Sequence, residues 1–143
     1  MGKKRIVKKG GEGDSAGGRG SSSRTSRRKM DAGLVFVEAT YNNTKMSLAD
    51  IGGNIVSWSS SGSLGFSGAK KGTPFAAAKV GELLGDRAAA MGVKEVGVVI
   101  SGVGAGRESS VRAFSSKGIH INSIKDTTPV PHNGPRPPKP RRV

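Results

Sequence analysis

The stretch Thr73-Pro74-Phe75-Ala76-Ala77-Ala78-Lys79-Val80-Gly81-Glu82-Leu83-Leu84-Gly85-Asp86-Arg87-Ala88-Ala89-Ala90-Met91-Gly92, followed at once by Glu95-Val96-Gly97-Val98-Val99-Ile100, decides the fold. Thr73 is a natural helix N-cap and Pro74 a natural first helical residue, because proline lacks an N–H that would be unpaired there anyway. Ala76, Val80, Leu83, Leu84, Arg87/Ala88 and Met91 recur at helical spacing and form the inward face, while Lys79, Glu82 and Asp86 take the other side. Gly92 ends the helix. The run Glu95–Ile100 is short and almost continuously apolar, as a strand covered on both faces would be. A helix feeding such a strand is half of an α/β crossover.

Working back towards the N-terminus, Gly33-Leu34-Val35-Phe36-Val37-Glu38-Ala39-Thr40-Tyr41 is rich in β-branched and aromatic residues and stops at Asn42-Asn43, which predicts a strand and a turn. Lys45–Asp50 alternates polar and apolar. Ile51-Gly52-Gly53-Asn54 is a tight turn, and Ile55–Ser59 is a third strand. Three strands joined by two short turns form an antiparallel meander. Residues 60–72 are a Gly/Ser loop ending in Lys70-Lys71-Gly72. Beyond Ile100, the loop Ser101–Gly106 leads to a second helix over Arg107–Lys117, with Val111 and Phe114 inward and Gly118 closing it. Ile119–Ile124 alternates as a last strand. The order β-β-β-α-β-α-β implies an α/β fold with a mixed five-stranded sheet, the crossovers placing the last strands parallel. That pattern is similar to the ribonuclease H-like fold.

The ends differ from this body. The chain has 143 residues and a formal net charge of +14. Residues 1–29 carry net +8, residues 129–143 net +4, and the 99 residues between them only +2. Six of the seven prolines lie in the last fifteen residues. The sequence therefore divides into a basic Gly/Ser-rich arm (1–32), expected to be disordered when free, a body (33–126), and an extended Pro/Arg-rich tail (127–143). In the arm, Arg24, Arg27, Arg28 and Lys29 alternate with Ser and Thr, which suits a segment threading along phosphates. The tail's Arg136, Lys139, Arg141 and Arg142 have the same character, and His132 has no core to join there. The partner expected of such a charge distribution is a polyanion.

Several classes are excluded. There is no Cys, so there is no thiolate metal site, thiol nucleophile or disulfide framework. Only His120 and His132 are available for a His-built zinc site. No apolar run approaches a membrane span of about 20 residues. The start Met1-Gly2-Lys3-Lys4-Arg5-Ile6 reads as neither a secretory signal nor a myristoylation site. No metal and no cofactor is expected.

The loop Gly102-Val103-Gly104-Ala105-Gly106-Arg107 lies between a strand and a helix. Arg107 stands where the third glycine of a dinucleotide fingerprint would fall, and no Gly-Lys-Ser/Thr follows, so it is neither that motif nor a Walker A loop. Its general reading is an anion site, with Gly104, Gly106 and Arg107 presenting amides and charge to a phosphate. The alternative is a tight structural turn. A nuclease needs carboxylates gathered around two cations. Glu38, Asp50, Glu82, Asp86, Glu95 and Asp126 are the candidates, and none lies inside the strand Val96–Ile100. Trp58 is expected in the core, His120 in a structural role, and Phe66, beside Lys70 and Lys71, in contact with RNA.

Three stretches carry a resemblance to a known family: Ala39–Thr44, Gly65–Ala77 and Gly102–Ser109. The closing Asp126-Thr127-Thr128-Pro129-Val130-Pro131-His132-Asn133-Gly134-Pro135-Arg136-Pro137-Pro138-Lys139-Pro140-Arg141-Arg142-Val143 is the most specific. The chain resembles the small-subunit ribosomal protein S eleven family from about Leu34 onward, and His132-Asn133-Gly134 is of the bacterial or organellar type. The family commonly has proline where Val103 and Ala105 stand, and basic residues where Ser67 and Pro140 stand. The resemblance implies a structural, non-enzymatic constituent of a cytoplasmic or organellar ribosome. It would bind small-subunit rRNA in the platform, in the central domain, near the cleft through which mRNA exits. Its neighbours would be the small-subunit proteins numbered seven and eighteen, with no membrane and no small-molecule substrate. The contacts it implies on this chain add Asn42, Asn43, Thr73, Arg112, Lys117 and Asn133 to the residues above. The competing readings are a ribonuclease H-like nuclease and a nucleoid-type DNA-binding protein.

Overall fold

The computed structural model describes residues 29–142. Strands β1 (Ala32–Ala39), β2 (Thr44–Ala49) and β3 (Ile55–Ser60) form the expected antiparallel meander. Helix α1 (Pro74–Ala90) leads to β4 (Glu95–Ser101), which pairs parallel to β1. Helix α2 (Gly106–Ser115) leads to β5 (His120–Asp126), parallel to β4. The result is one mixed sheet in the order β3-β2-β1-β4-β5.

Local chemistry explains the boundaries. β1 stops at Ala39 because Thr40 and Asn43 close a turn on each other. The Thr40 amide donates to the Asn43 carbonyl at 2.8 Å, and the Asn43 amide donates to the Thr40 hydroxyl at 3.1 Å. Tyr41, assigned to the strand by its composition, projects from that turn into solvent. The Thr73 hydroxyl caps α1 by accepting from the Ala76 amide at 3.4 Å, with Pro74 in the first turn. Gly92 at φ 81° ends α1, and the Val93 amide reaches back to the Ala88 carbonyl. A 3-10 helix, Gly68–Gly72, interrupts the stretch read as loop.

Both helices lie on one face of the sheet. They pack side by side, and glycine permits it: a Cβ at Gly81 would stand 2.3 Å from the Ser110 carbonyl oxygen. Between helices and sheet lie Val35, Val37, Met46, Leu48, Val96, Val98, Val80, Leu84 and Phe114, all buried. Each such side chain contributes roughly 1.5–3 kcal/mol of hydrophobic stabilisation.

The opposite face is open, which corrects several expectations. β4 is not covered on both sides: Val96, Val98 and Ile100 are buried, while Val99 is half-buried on the open face. Trp58 is not in the core. It is 54% exposed, in the row Trp58–Ser47–Phe36–Val99 that runs across the open face. In α1 Ala88 faces inward, Arg87 is exposed and reaches the Trp58 carbonyl at 3.0 Å, and Leu83 is only half-buried. β5 shows no inward alternation, because it is an edge strand with a register shift opposite Val96 and Gly97. Ile121 alone is half-buried, and His120 is exposed. Met30 and Asp31, read as part of the arm, are joined to the body. The Met30 amide donates to the Met91 carbonyl, its side chain packs on the core, and the Asp31 carbonyl accepts from Lys94 and Glu95. Among the described residues no helix is long and apolar enough to cross a membrane.

Candidate nucleic-acid interface

Parallel topology puts the C-terminal ends of β1, β4 and β5 at the same end of the sheet. Four segments converge there: the β1–β2 turn (40–43), the loop before α1 (61–73), the glycine loop (102–106) and the root of the tail (126–128). Ser61 is buried at the junction of the first two. Its hydroxyl lies 2.5 Å from Asn43 Oδ1, donates to the Lys71 carbonyl at 2.8 Å, and accepts from the Thr44 amide at 3.3 Å. The glycine loop sits against the end of β1, the Gly104 amide donating to the Ala39 carbonyl at 2.8 Å. A Cβ would lie 2.2 Å from the Tyr41 oxygen at Gly72, 2.1 Å from the Ala39 oxygen at Gly102 and 2.2 Å from the Thr40 oxygen at Gly104. The loop is therefore a tight turn held by backbone approach.

Thus Asn42, Asn43, Lys70, Lys71, Thr73, Gly104, Gly106 and Arg107 meet at one end. Lys70 is exposed and Lys71 half-exposed, at the close of the 3-10 helix and without an ion pair among the described residues. Phe66 is half-buried, packed edge-on against Phe75 at 6.1 Å, with Lys79 above the Phe75 ring. The tail leaves this end fully exposed along residues 129–142, so His132, Asn133, Arg136, Lys139, Arg141 and Arg142 point to solvent with no hydrogen bond or ion pair among the described residues. Asn133, at φ 55°, bends it.

Other candidates are not part of this cluster. Lys117 lies at the opposite end of the sheet, where it pairs with Asp86 at 3.0 Å. Arg112 is exposed partway along α2. Lys29 is exposed just before Met30, also at the opposite end. Arg24, Arg27 and Arg28 lie outside the described residues.

Arg107 is not the free loop cation expected. Its Nη1 donates to the Gly102 carbonyl and to Thr128 Oγ1 at 3.0 Å, and its Nη2 donates to the Asp126 carboxylate. Asp126 also accepts from the Thr128 hydroxyl at 2.6 Å and the Thr128 amide at 2.9 Å. The Thr128 hydroxyl, the Arg107 guanidinium and the Thr128 amide together hold the Asp126 carboxyl far below the usual carboxylate range. In the sequence Asp126 stands as a metal-ligand candidate and, with Thr127 and Thr128, opens the stretch most specific to the family resemblance, but neither Asp126 nor Thr128 is assigned a partner there. The signal was present in Asp126-Thr127-Thr128, the spacing of an Asx-turn, in which an aspartate binds its own backbone two residues on.

The remaining carboxylates are dispersed. Glu38 pairs with Lys45, Glu82 with Lys79, and Glu95 accepts from Asn122. Among the described residues no three His, Asp or Glu side chains gather into a group that could hold a metal.

The fold and the site define a one-sided α/β domain with its loops and a cationic tail gathered at one end, the charge distribution looked for in a nucleic-acid-binding protein. The family model described as "Ribosomal protein S11" matches residues 33–142, and the chain belongs to that family. Over 128 residues it is 50% identical to the small ribosomal subunit protein uS11 of Solibacter usitatus, covering 90% of this chain and 95% of that one. It is 49% identical over 125 residues to the uS11 protein of Gloeobacter violaceus, covering 87% and 96%. A Synechococcus uS11 protein is 49% identical over 123 residues, covering 86% and 95%. The chain is accordingly a protein of the small ribosomal subunit and not an enzyme.

Proposed function

We propose that this protein binds small-subunit rRNA in the platform, near the mRNA exit cleft, and supports subunit assembly there. The observation that carries the reading is the exposed tail, four unpaired cations on fourteen described residues, rooted where Lys70, Lys71 and the asparagine turn meet. Phosphates are met there by cations that have no competing carboxylate partner among the described residues. The rest of the body is close to neutral, so its binding is directed to this end. The ribosome is the cytoplasmic one of a bacterium, in keeping with the organisms of its relatives. Small-subunit proteins seven and eighteen are its protein neighbours, and Arg112 and the basic arm add RNA contacts outside the loop cluster.

The test is equilibrium binding of the full chain to a central-domain rRNA fragment at several salt concentrations. Affinity should fall steeply with salt, each neutralised phosphate adding roughly 0.7–0.9 to the slope of log affinity against log salt. Equal affinity for duplex DNA would favour a nucleoid-type protein and overturn the reading.

A further inference from the structure

The sequence places Arg107 where a phosphate contact is expected, but its guanidinium is occupied from three sides within the chain. Gly102 is the loop's first residue, and Asp126 and Thr128 are the tail's root. Two further bonds tie the same elements: the Gly102 amide donates to Thr128 Oγ1 at 3.2 Å, and the Thr127 amide donates to the Ile100 carbonyl at 2.9 Å. Beyond Thr128 the tail makes no hydrogen bond among the described residues. The boundary between held and free chain is therefore sharp, and it falls at Thr128.

We propose that Arg107 is a positioning residue: through Asp126 and Thr128 it latches the tail root to the glycine loop and fixes the direction in which the basic tail leaves the body. This rests on the reading that the tail binds rRNA. The physical gain is preorganisation. A latched root is ordered on folding, so fewer backbone angles must be fixed when RNA binds. The latch also separates the work of the cations: Arg107 holds the root, and Arg136, Lys139, Arg141 and Arg142 meet phosphates.

The two roles predict opposite signs at Asp126. Removing a carboxylate near a phosphate binder tightens RNA binding on electrostatic grounds alone. Removing half of a latch weakens it. In the full chain, Asp126→Ala should weaken binding to the rRNA fragment by about threefold to tenfold, with the salt slope unchanged. Arg107→Ala should do the same, and the double variant should be no worse than either single one. Hydrogen exchange in the free protein gives a readout without RNA. The Gly102 and Thr128 amides should exchange faster in both variants, while Val96–Ile100 keep their protection and so report an intact fold. Unchanged exchange at Gly102 and Thr128 overturns the latch. So does tighter binding by Asp126→Ala, or a slope reduced by roughly 0.7–0.9 in Arg107→Ala, the mark of a lost phosphate contact. If the unaltered chain shows no salt-dependent rRNA binding, the functional reading fails, and with it the tail's role, while exchange still reports whether the latch exists.

Discussion

Glycines stand at both ends of this sheet, for different reasons. At the end where β1, β4 and β5 finish, Gly72, Gly102 and Gly104 lie so close to neighbouring carbonyl oxygens that a methyl group would meet backbone at 2.1–2.2 Å. At the opposite end, Gly53, Gly92 and Gly118 have positive φ of 86°, 81° and 84° and nothing within 4 Å of where a Cβ would be. The first end uses glycine chiefly to let separate segments touch, although Gly65 and Gly68 there turn the chain at positive φ; the other uses it chiefly to turn the chain, although a Cβ at Gly33 would lie 2.7 Å from the Ala49 oxygen. The first end is a fixed assembly of four segments, from which the basic tail projects. The second is a set of turns, with backbone ties from Met30 and Asp31 to Met91, Lys94 and Glu95 and from His120 to Lys94. On the proposed function, the contrast lets a nearly neutral body present one defined surface to rRNA.

Substitution separates the two kinds of glycine most strongly. Gly104→Ala must push the Thr40 carbonyl aside and should cost roughly 2–4 kcal/mol in urea unfolding. Gly118→Ala meets only the left-handed backbone penalty and should cost about 1–2 kcal/mol. Equal costs would break the comparison. Removing residues 129–143 should lower the salt slope for rRNA binding by up to roughly 3, since four cations are lost. Lys117→Ala, at the other end, should leave the slope unchanged. A smaller effect belongs to Lys70→Ala and Lys71→Ala, each expected to reduce the slope by about 0.7–0.9 with no change in Tm. Lys117→Met removes an ion pair whose Asp86 partner is 62% exposed, so its stability change should stay under about 1 kcal/mol by thermal unfolding.

The smallest expected effect is a pH response that fails to appear near 4. Asp126 is ordinarily a group of pKa 3.8, and its folded-state value is depressed. A depressed carboxylate stabilises the fold above its unfolded pKa, and that contribution is lost only as pH falls towards the folded value. The Asp126 side-chain carboxyl resonance should therefore remain in its ionised position at pH 3. A midpoint near 4 would show that the latch is open in solution.

Features set by local chemistry were legible in the sequence. Thr73-Pro74 and Gly92 bounded α1 through capping and left-handed geometry, and period and turn residues placed all five strands in order. Features set by what packs on what were not. Trp58 looks like core because a tryptophan in a strand is usually buried, yet both helices lie on the other face. Glu95–Ile100 reads as covered on both sides because valine fits a half-buried strand equally well. At the candidate interface the sequence marks the turn at Asn42-Asn43 and the Lys70-Lys71 pair one by one as candidate contacts, and only the fold brings them to the same end of the sheet. Arg107 was seen as a cation but not as an occupied one, since its partners lie 19 and 21 residues further along the chain. The charge of Lys117 is plain in the sequence, while its place at the far end, beside Asp86, is set by the course of α2.

The central claim is that one end of the sheet, with its latched tail, is the body's RNA-binding surface. Hydroxyl-radical footprinting of the full chain, free and bound to the central-domain rRNA fragment, tests it most directly. Protection should appear at residues 40–43, 66–73 and 129–142, while residues 92–94 and 117–120 keep the reactivity of the free protein. Protection confined to residues 92–94 and 117–120, with the loop cluster and tail unchanged, would contradict the account.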